Sequence, residues 1–234
     1  MAEVCVYGAE GTVSDEVRRV VIIGAGGLGR EVLWVLRSMG PTVEVIGFLD
    51  DNDGLRGTEI CDVPVIGPVQ AETLGDLDVR CAWGVGFPKV KRQLAARLPD
   101  ERFLAARHPT ALMSDYVHIG EGTVICAGVV ATTQVQIGSH VLLNLNVTIG
   151  HDAVIEDYCT LNPGTHVSGY VYLEEGVDVG TGAVFLPGIR VGAWSVVGAG
   201  AVVTKDLPDH VVAVGVPARV IRSTEEPRAE GGPP

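Results

Sequence analysis

Apolar residues recur at every sixth position through the second half of the chain. A period of six fits neither the repeat of about 3.6 residues of an α-helix nor the simple alternation of a strand. It is typical of short strands that are separated by bends and stacked as a parallel β-helix. Three faces in each coil make a coil of eighteen residues, so residues eighteen apart lie above one another at about 4.8 Å. The fifteen apolar positions, which predict five coils, are Ile119, Ile125, Ala131, Ile137, Leu143, Ile149, Ile155, Leu161, Val167, Leu173, Val179, Phe185, Val191, Val197 and Val203.

A different pattern covers the preceding part of the chain. Short apolar strands are predicted at 20–23, 43–49 and 80–85, and helices at 30–39 and 89–98. The first helix carries its apolar residues on one side and is expected to stop at Gly40-Pro41. Because strands that alternate with helices indicate a parallel sheet, we expect a small α/β domain here.

The two patterns divide the chain into four predicted segments. Residues 1–18 form a polar leader, 19–107 the α/β domain and 108–222 the β-helix, with the boundary at His108-Pro109. Residues 211–221 are interpreted as the segment that closes the β-helix. Residues 223–234 are rich in Glu, Gly and Pro and are expected to be a disordered tail.

Charge and cysteine content narrow the functional classes. The formal net charge is -12 without a long run of Lys or Arg, which disfavours nucleic acid and anionic membranes as partners. No apolar stretch reaches transmembrane length, and the start of the chain has no signal-peptide pattern. The five cysteines form no CxxC pair, which is typical of a reduced, cytoplasmic protein. Cys159 falls on an inward position of the repeat and is interpreted as part of the core.

The turn between the first strand and the first helix carries a GxGxxG pattern. Gly24, Gly26 and Gly29 would let backbone N–H groups approach a phosphate at the helix N-terminus. Asp50 and Asp51 follow the next strand, where an acid commonly holds a ribose hydroxyl. The domain is therefore expected to be Rossmann-like, with the size of one mononucleotide-binding half. The alternative is a tight packing turn that binds no ligand.

His151 is the strongest candidate for chemistry among the six histidines. It follows the inward Ile149 by two positions and is followed by Asp152, a pairing that suits a general base. Gly169 lies eighteen positions later, one coil above, where a glycine allows close approach and leaves an N–H for an oxyanion. The alternative is an ordinary surface histidine.

Two further patterns bear on whether the chain binds a metal or an extended ligand. β-Helix carbonic anhydrases hold zinc through three histidines, but His140, His151 and His166 lack the close pair of that family, so no metal is expected. Small residues stack in two rows that would form a shallow trough for a pantetheine arm, with ordinary turn packing as the alternative. These rows are Pro163, Thr181 and Ala199, and Asn162, Gly180 and Gly198.

Five strings carry a family resemblance over about residues 19–222. They are IGAGGLGREV at 23–32, FLDD at 48–51, the segment 144–152 ending in GHD, GAGAVVTKD at 198–206 and GVPAR at 215–219. The chain resembles the hexapeptide-repeat acyltransferases. Within them it is similar to the bacterial sugar acetyltransferases of the sialic-acid, bacillosamine and perosamine type.

The resemblance implies a left-handed β-helix, a homotrimer with active sites between subunits, and acetyl-CoA as acyl donor. It implies that His151 is the base, Asp152 its modulator, and Asn144 a neighbour of the acceptor. It further implies that the Gly169 N–H serves the thioester oxygen. Thr181 and Ala199 would line the acetyl-CoA site, and Thr160 stands where relatives carry a second histidine on the cofactor side. The implied nucleotide-sugar site is Ala25, Gly26, Gly27, Leu28, Asp50 and Asp51.

The chain departs from the family pattern at three places. Relatives often have histidine at the positions of Leu28 and Thr160, and Ile-Gly-Asn/Asp-Asn where this chain has VGFP at 85–88. With these departures, the resemblance still implies an acetyl-CoA-dependent transferase that acetylates the amine of a nucleotide-linked amino sugar. O-Acetylation of a sialic acid or another glycan precursor is the alternative enzyme. A non-catalytic trimeric scaffold is the alternative of another class.

Overall fold

The computed structural model describes residues 17–75, 78–99 and 102–225. The predicted leader lies outside the described residues except for its last two positions, and the predicted tail lies outside them beyond residue 225. The described residues form an α/β unit followed by a long parallel β-helix, as the sequence predicts.

The α/β unit is built on a five-stranded sheet of order β3-β4-β2-β1-β5. The pairs β1–β2, β1–β5 and β2–β4 are parallel, whereas β3 and β4 form an antiparallel hairpin that the sequence pattern did not predict. Helix α1 begins three residues before its predicted start because the glycine turn already supplies its first turn. The elements are β1 Arg18–Ile23, α1 Gly27–Ser38, β2 Val43–Leu49, a 3-10 turn Asp53–Leu55, β3 Glu59–Ile60, β4 Val63–Gly67, α2 Ala71–Leu74, β5 Arg80–Trp83 and α3 Pro88–Ala95.

The β-helix consists of two-residue strands, β6 to β22, that begin six residues apart. They form three faces. The first face, completed by two longer strands, is β6 Ala106–Arg107, β9 Val124–Ile125, β12 Leu142–Leu143, β15 Thr160–Leu161, β18 Asp178–Val179, β21 Val196–Val197, β23 Val211–Val214 and β24 Arg219–Ser223. The second face is β7 Leu112–Met113, β10 Val130–Ala131, β13 Thr148–Ile149, β16 His166–Val167, β19 Val184–Phe185 and β22 Val202–Val203. The third face is β8 His118–Ile119, β11 Gln136–Ile137, β14 Val154–Ile155, β17 Tyr172–Leu173 and β20 Arg190–Val191.

The predicted eighteen-residue register is confirmed. Thr148 pairs with His166 and Ile149 with Val167, and the same offset holds along every face of two-residue strands. From β7 to β22 the second residue of each strand points inward and, with the last residue of most corners, forms one continuous apolar core. The first strand, β6, pairs with β9 and so precedes His108. The exact division of the chain between its two domains stays a prediction.

Four-residue corners join the faces, and we name them by the faces they connect. The first corner, between the first and second faces, comprises 108–111, 126–129, 144–147, 162–165, 180–183 and 198–201. The second corner, between the second and third faces, comprises 114–117, 132–135, 150–153, 168–171 and 186–189. The third corner, between the third and first faces, comprises 120–123, 138–141, 156–159, 174–177 and 192–195.

The α/β unit packs on the first face and the third corner of the β-helix. Val124 and Leu142, which point outward from the first face, belong to the apolar core of the α/β unit. Lys91 of α3 is fully buried, and its Nζ donates to the carbonyl oxygens of His140 at 2.7 Å and Cys159 at 3.2 Å. The glycine turn lies against the same contact region. Gly86 lies between Leu28 of the turn and Leu142 of the first face.

Candidate functional site

His151 lies on the second corner with its ring half exposed. Its Nδ1 is 2.8 Å from Asp152 Oδ2, and the two side chains are 54% and 40% exposed. A carboxylate only accepts hydrogen bonds, so the Nδ1 atom of a neutral His151 carries the hydrogen. The Nε2 atom is then an acceptor, which is the form that a general base requires.

Gly169 lies directly against the His151 ring. A Cβ atom at Gly169 would stand 2.6 Å from Cε1 and 2.7 Å from Nε2 of His151, so only glycine leaves the ring where it is. Among the residues that the structure describes, the Gly169 N–H has no hydrogen-bond partner. The His151 ring and a residue with an available N–H therefore lie side by side, and their roles in chemistry stay a prediction.

On the third corner, the N–H groups at the position equivalent to Gly169 are already hydrogen-bonded. The N–H of Ser139 donates to Asp157, that of Glu175 to Glu156, and that of Ala193 to Glu174 and Asp209. Carboxylates of the chain itself thus accept hydrogen bonds from these N–H groups, whereas the corresponding N–H of Gly169 on the second corner stays available. These carboxylates give the third corner a negative charge, which disfavours an anionic ligand there.

The first corner carries the predicted trough. Thr181 and Ala199 are exposed, and the N–H of Gly200 donates to the Thr181 carbonyl at 2.8 Å. Gly180 lies flat beneath Ala199, because a Cβ atom there would stand 2.4 Å from the Ala199 nitrogen. The stacking of small residues is therefore real, and their role toward acetyl-CoA stays a prediction.

Asn144 also lies on the first corner, where it is 93% buried. Its Oδ1 accepts the Leu145 N–H at 2.7 Å, so the side chain holds its own corner in shape. Strand β13 runs between Asn144 and His151. Within one chain the structure consequently places Asn144, Thr181 and Ala199 on one corner, and His151, Asp152 and Gly169 on the next.

The glycine turn of the α/β unit is held by Asp50. Its Oδ2 accepts the Ala25 N–H and its Oδ1 accepts the Asn52 N–H, each at 2.8 Å. Gly26 and Gly27 are exposed at the start of α1, and no atom lies within 4 Å of a Cβ placed at Gly26. The turn therefore presents an open helix N-terminus, the usual place for a phosphate.

Asp51 has a different role from Asp50. Arg97 donates two hydrogen bonds to its carboxylate at 2.7 and 3.2 Å, and the Val69 N–H adds a third. The hydrogen bonds from Arg97 hold the pKa of Asp51 below its usual value, with a further contribution from Val69 and opposition from partial burial. The ion pair ties the end of β2 to the segment after α3.

The structure corrects the expectation for Thr160. Its side chain is 2% exposed, and its hydroxyl donates to the Gly86 carbonyl of the α/β unit. The α/β unit covers this part of the first face, so Thr160 serves the contact between the two units and is not accessible to a cofactor.

The structure also separates the three histidines weighed for zinc. His140 is buried on the third corner and its Nδ1 accepts the Trp83 Nε1–H at 3.0 Å, while His166 on the second face bonds Thr148 at 2.8 Å. No group of His, Cys, Asp or Glu suited to a metal occurs within the described ranges. No helix in these same ranges is long and apolar enough to cross a bilayer.

Sequence reasoning missed two features at the contact between the α/β unit and the β-helix. The buried Lys91 gave no signal because its neighbours on a predicted surface helix are also charged. A cleft of about 520 Å³ lies between the start of α3 and the end of the β-helix, with Phe87, Trp194 and Arg222 among its lining residues. The exposed Phe87, which departs from the family pattern, was the available signal.

Residues 19–98 match the family model described as the PglD N-terminal domain. The GDP-perosamine N-acetyltransferase of Escherichia coli is 35% identical over 175 residues, which covers 72% of this chain and 78% of that protein. The galactoside O-acetyltransferase of Lactococcus lactis is 39% identical over 112 residues, covering 47% of this chain and 54% of that protein.

Among solved structures, PerB of Caulobacter crescentus in complex with CoA and GDP-perosamine has a TM-score of 0.80 at 32% identity. The match covers 92% of this chain and 100% of that chain. With its α/β unit and left-handed β-helix, the chain belongs to the PglD-type sugar acetyltransferases of the hexapeptide-repeat family.

Proposed function

We propose that the protein transfers an acetyl group from acetyl-CoA to the amine of a nucleotide-linked amino sugar, with His151 as the general base. The observation that carries this proposal is the ring of His151, held at Nδ1 by Asp152 and placed with Nε2 beside the available N–H of Gly169. The N-acetyltransferase relatives, whose acceptor is GDP-perosamine, support the choice of an amine over a hydroxyl.

The proposed chemistry needs no covalent enzyme intermediate. The sugar amine attacks the thioester carbonyl while His151 Nε2 removes its proton. The carbonyl oxygen becomes an oxyanion that accepts a hydrogen bond from the Gly169 N–H. Collapse of this intermediate breaks the C–S bond, and the CoA thiolate takes the proton from His151. Asp152 holds the ring in the required tautomer throughout.

The site is proposed to form between copies of the chain. The first-corner and second-corner residues do not meet within one chain, and the second face between them has exposed or half-buried apolar side chains at Leu112, Val130, Val184 and Val202. The third face is more polar, with exposed Gln136 and Arg190. We therefore expect the second face to be covered in a homotrimer, so that one second corner meets the first corner of its neighbour.

Light scattering tests the assembly and should give about three times 24.5 kDa. Val184→Glu on the second face should yield monomers that are folded and inactive. Gln136→Glu, which also adds a carboxylate but on the third face, should leave the trimer and its turnover intact. A folded monomer with full activity would refute the shared site.

The acceptor nucleotide is proposed to bind at the glycine turn. Its diphosphate would meet the N–H groups of Gly26 and Gly27, while Asp50 shapes the turn. Asp50→Ala should raise the KM for the acceptor and leave the KM for acetyl-CoA unchanged, because the affected contacts lie far from the reacting atoms. Calorimetry with GDP, UDP and dTDP identifies the nucleobase that the protein prefers. Absence of binding by all three would point to an acceptor without a nucleotide.

The deciding experiment incubates the protein with acetyl-CoA and GDP-perosamine, and with the UDP-linked and dTDP-linked amino sugars. CoA release measures turnover, and treatment of the product with hydroxylamine distinguishes an amide, which survives, from an ester, which is cleaved. An ester product would favour the O-acetyltransferase alternative. Absence of CoA binding would favour the scaffold. The cytoplasmic location proposed from cysteine usage is checked by cell fractionation.

A further inference from the structure

Tyr170 contacts the ring of the proposed base. Its ring centroid is 5.0 Å from that of His151, and the two ring planes meet at 88°. Its backbone N–H donates to the His151 carbonyl at 2.9 Å, so the two residues are joined through main chain and side chain. The Tyr170 side chain is nevertheless 62% exposed, so core packing does not account for it.

The surroundings of His151 explain what this contact can do. Asp152 holds one atom of the imidazole, and a single hydrogen bond leaves the ring free to swing about it. Gly169 makes room for the ring but has no side chain to stop it. Within the part of the chain that the structure describes, lateral support for the ring comes from the edge-to-face contact with Tyr170, a geometry that aromatic rings favour.

We propose that Tyr170 is a positioning residue that keeps the His151 imidazole in the orientation in which Nδ1 stays on Asp152 and Nε2 stays beside Gly169. The proposal rests on the proposed function of His151. The ring of Tyr170, and not its hydroxyl, performs this role, because the contact is between ring planes. Its loss should affect the chemical step and leave the binding of both substrates unchanged.

Tyr116 supplies a matched control. It occupies the same position of the second corner three coils earlier and is also 62% exposed, although only Tyr170 has a positive φ, of +60°. His151 lies one coil below Tyr170, but the position one coil below Tyr116 would precede the β-helix. Tyr116 therefore has the exposure and register of Tyr170 without a histidine beside it. A change at Tyr116 measures the general cost of removing an exposed ring from this corner.

The experiment compares Tyr170→Phe, Tyr170→Ala and Tyr116→Ala in the intact protein. With the acceptor that supports turnover, Tyr170→Ala should lower kcat about tenfold with both KM values and the Tm unchanged. Tyr170→Phe and Tyr116→Ala should stay within about twofold of the original kcat. In protein labelled with ¹⁵N-histidine, Tyr170→Ala should also shift the His151 ring nitrogens away from the pure Nδ1–H tautomer.

Three outcomes would overturn the proposal: unchanged kcat and nitrogen shifts in Tyr170→Ala, equal losses in Tyr170→Phe and Tyr170→Ala, or a rise in KM in place of the fall in kcat. The second outcome would assign the effect to the hydroxyl and the third to substrate contact. His151→Ala separates this inference from the proposed function. If His151→Ala is inactive and Tyr170→Ala is normal, only the positioning role fails; if His151→Ala is active, the proposed mechanism fails.

Discussion

His140 and His151 lie eleven residues apart on neighbouring corners of the same β-helix, and they have opposite surroundings. His140 is 93% buried, stacks on Tyr158 at 4.8 Å, and accepts a hydrogen bond at Nδ1 from Trp83. His151 is about half exposed and donates from Nδ1 to a carboxylate. The difference shows that a corner of this fold can either join the two units or leave a base available, depending on what its neighbours supply.

The hydrogen-bond direction at Nδ1 decides which histidine can act as a base. In His140 the acceptor lone pair of the neutral ring is already used by Trp83, so taking up a proton would break that bond. In His151 the lone pair is on Nε2, beside Gly169 and open to a substrate. Replacing each histidine should consequently affect different properties of the protein.

The largest expected effect comes from that pair of replacements. His151→Ala should lower kcat by about 10²–10⁴-fold and leave the Tm and the acetyl-CoA affinity nearly unchanged, because a general base is lost and little packing with it. His140→Ala should lower the unfolding free energy by about 3 kcal/mol, because a buried ring is lost and the Trp83 N–H is left unpaired.

Steady-state kinetics and urea unfolding on both variants check this contrast. His140→Ala should keep its turnover per folded molecule. A His151→Ala protein that retains more than about a tenth of the original kcat, less than about 1.4 kcal/mol of barrier, would contradict the assignment of the base.

Substitutions of two glycines test the same contrast between His151 and His140 and should have smaller effects. Each leaves room for one of the histidine rings: a Cβ at Gly169 would stand 2.6 Å from His151 Cε1, and a Cβ at Gly122 would stand 2.5 Å from His140 Nδ1. Gly169→Ala should displace an exposed ring and lower kcat about tenfold with little loss of stability. Gly122→Ala should cost about 2 kcal/mol of stability, because it meets a buried ring at a φ of +66°.

Kinetic and unfolding measurements on the two alanine variants separate these effects. Equal losses of activity, or equal losses of stability, would show that the two corners do not differ in the way described.

The smallest expected effect concerns the buried amine beside His140. Burial lowers the pKa of Lys91 from its ordinary value to about 7, against the opposing influence of Cys159 and Asp178. Between pH 7 and pH 8.5 the unfolded chain therefore binds more protons than the folded chain at this group, and stability should rise with pH by at most about 1.4 kcal/mol per unit. Above about pH 9 the trend should reverse, because Cys81, Cys126 and Cys159, whose pKa burial raises to about 12, stay protonated only when folded.

Urea unfolding at a series of pH values measures this slope. Lys91→Met should remove the rise between pH 7 and pH 8.5, whereas Lys89→Met, an exposed lysine of the same helix, should keep it. An identical slope in all three proteins would exclude Lys91 as its source.

The repeat was predictable because each inward residue of the β-helix is specified by its own position in a six-residue period. The register that places Gly169 over His151 follows from that period alone. Contacts between the α/β unit and the β-helix produce no comparable periodic pattern in the sequence. Lys91 is one of several charged residues on a short helix, and its burial depends on carbonyl groups of corners 49 and 68 residues away.

Thr160 was misassigned for the same reason. Its place in the repeat marks it as an outward residue of the first face, but nothing in the repeat says that the α/β unit covers that face. The β3–β4 hairpin was missed because its strands are short and its sequence has no two-residue glycine turn.

The separation of contacts along the chain also orders the folding of the molecule. Ladder bonds of the β-helix, such as Thr148 N–H to the Thr165 carbonyl, join neighbouring coils, so each coil can form on the one before it. The bonds from Lys91 and from Thr160 to Gly86 close loops of 49 to 74 residues. Since short loops close at lower entropic cost, we expect the coils to assemble first and the α/β unit to dock afterwards. The glycine turn would then reach its place beside Leu142 only after the coils that carry His151 and Gly169 have formed.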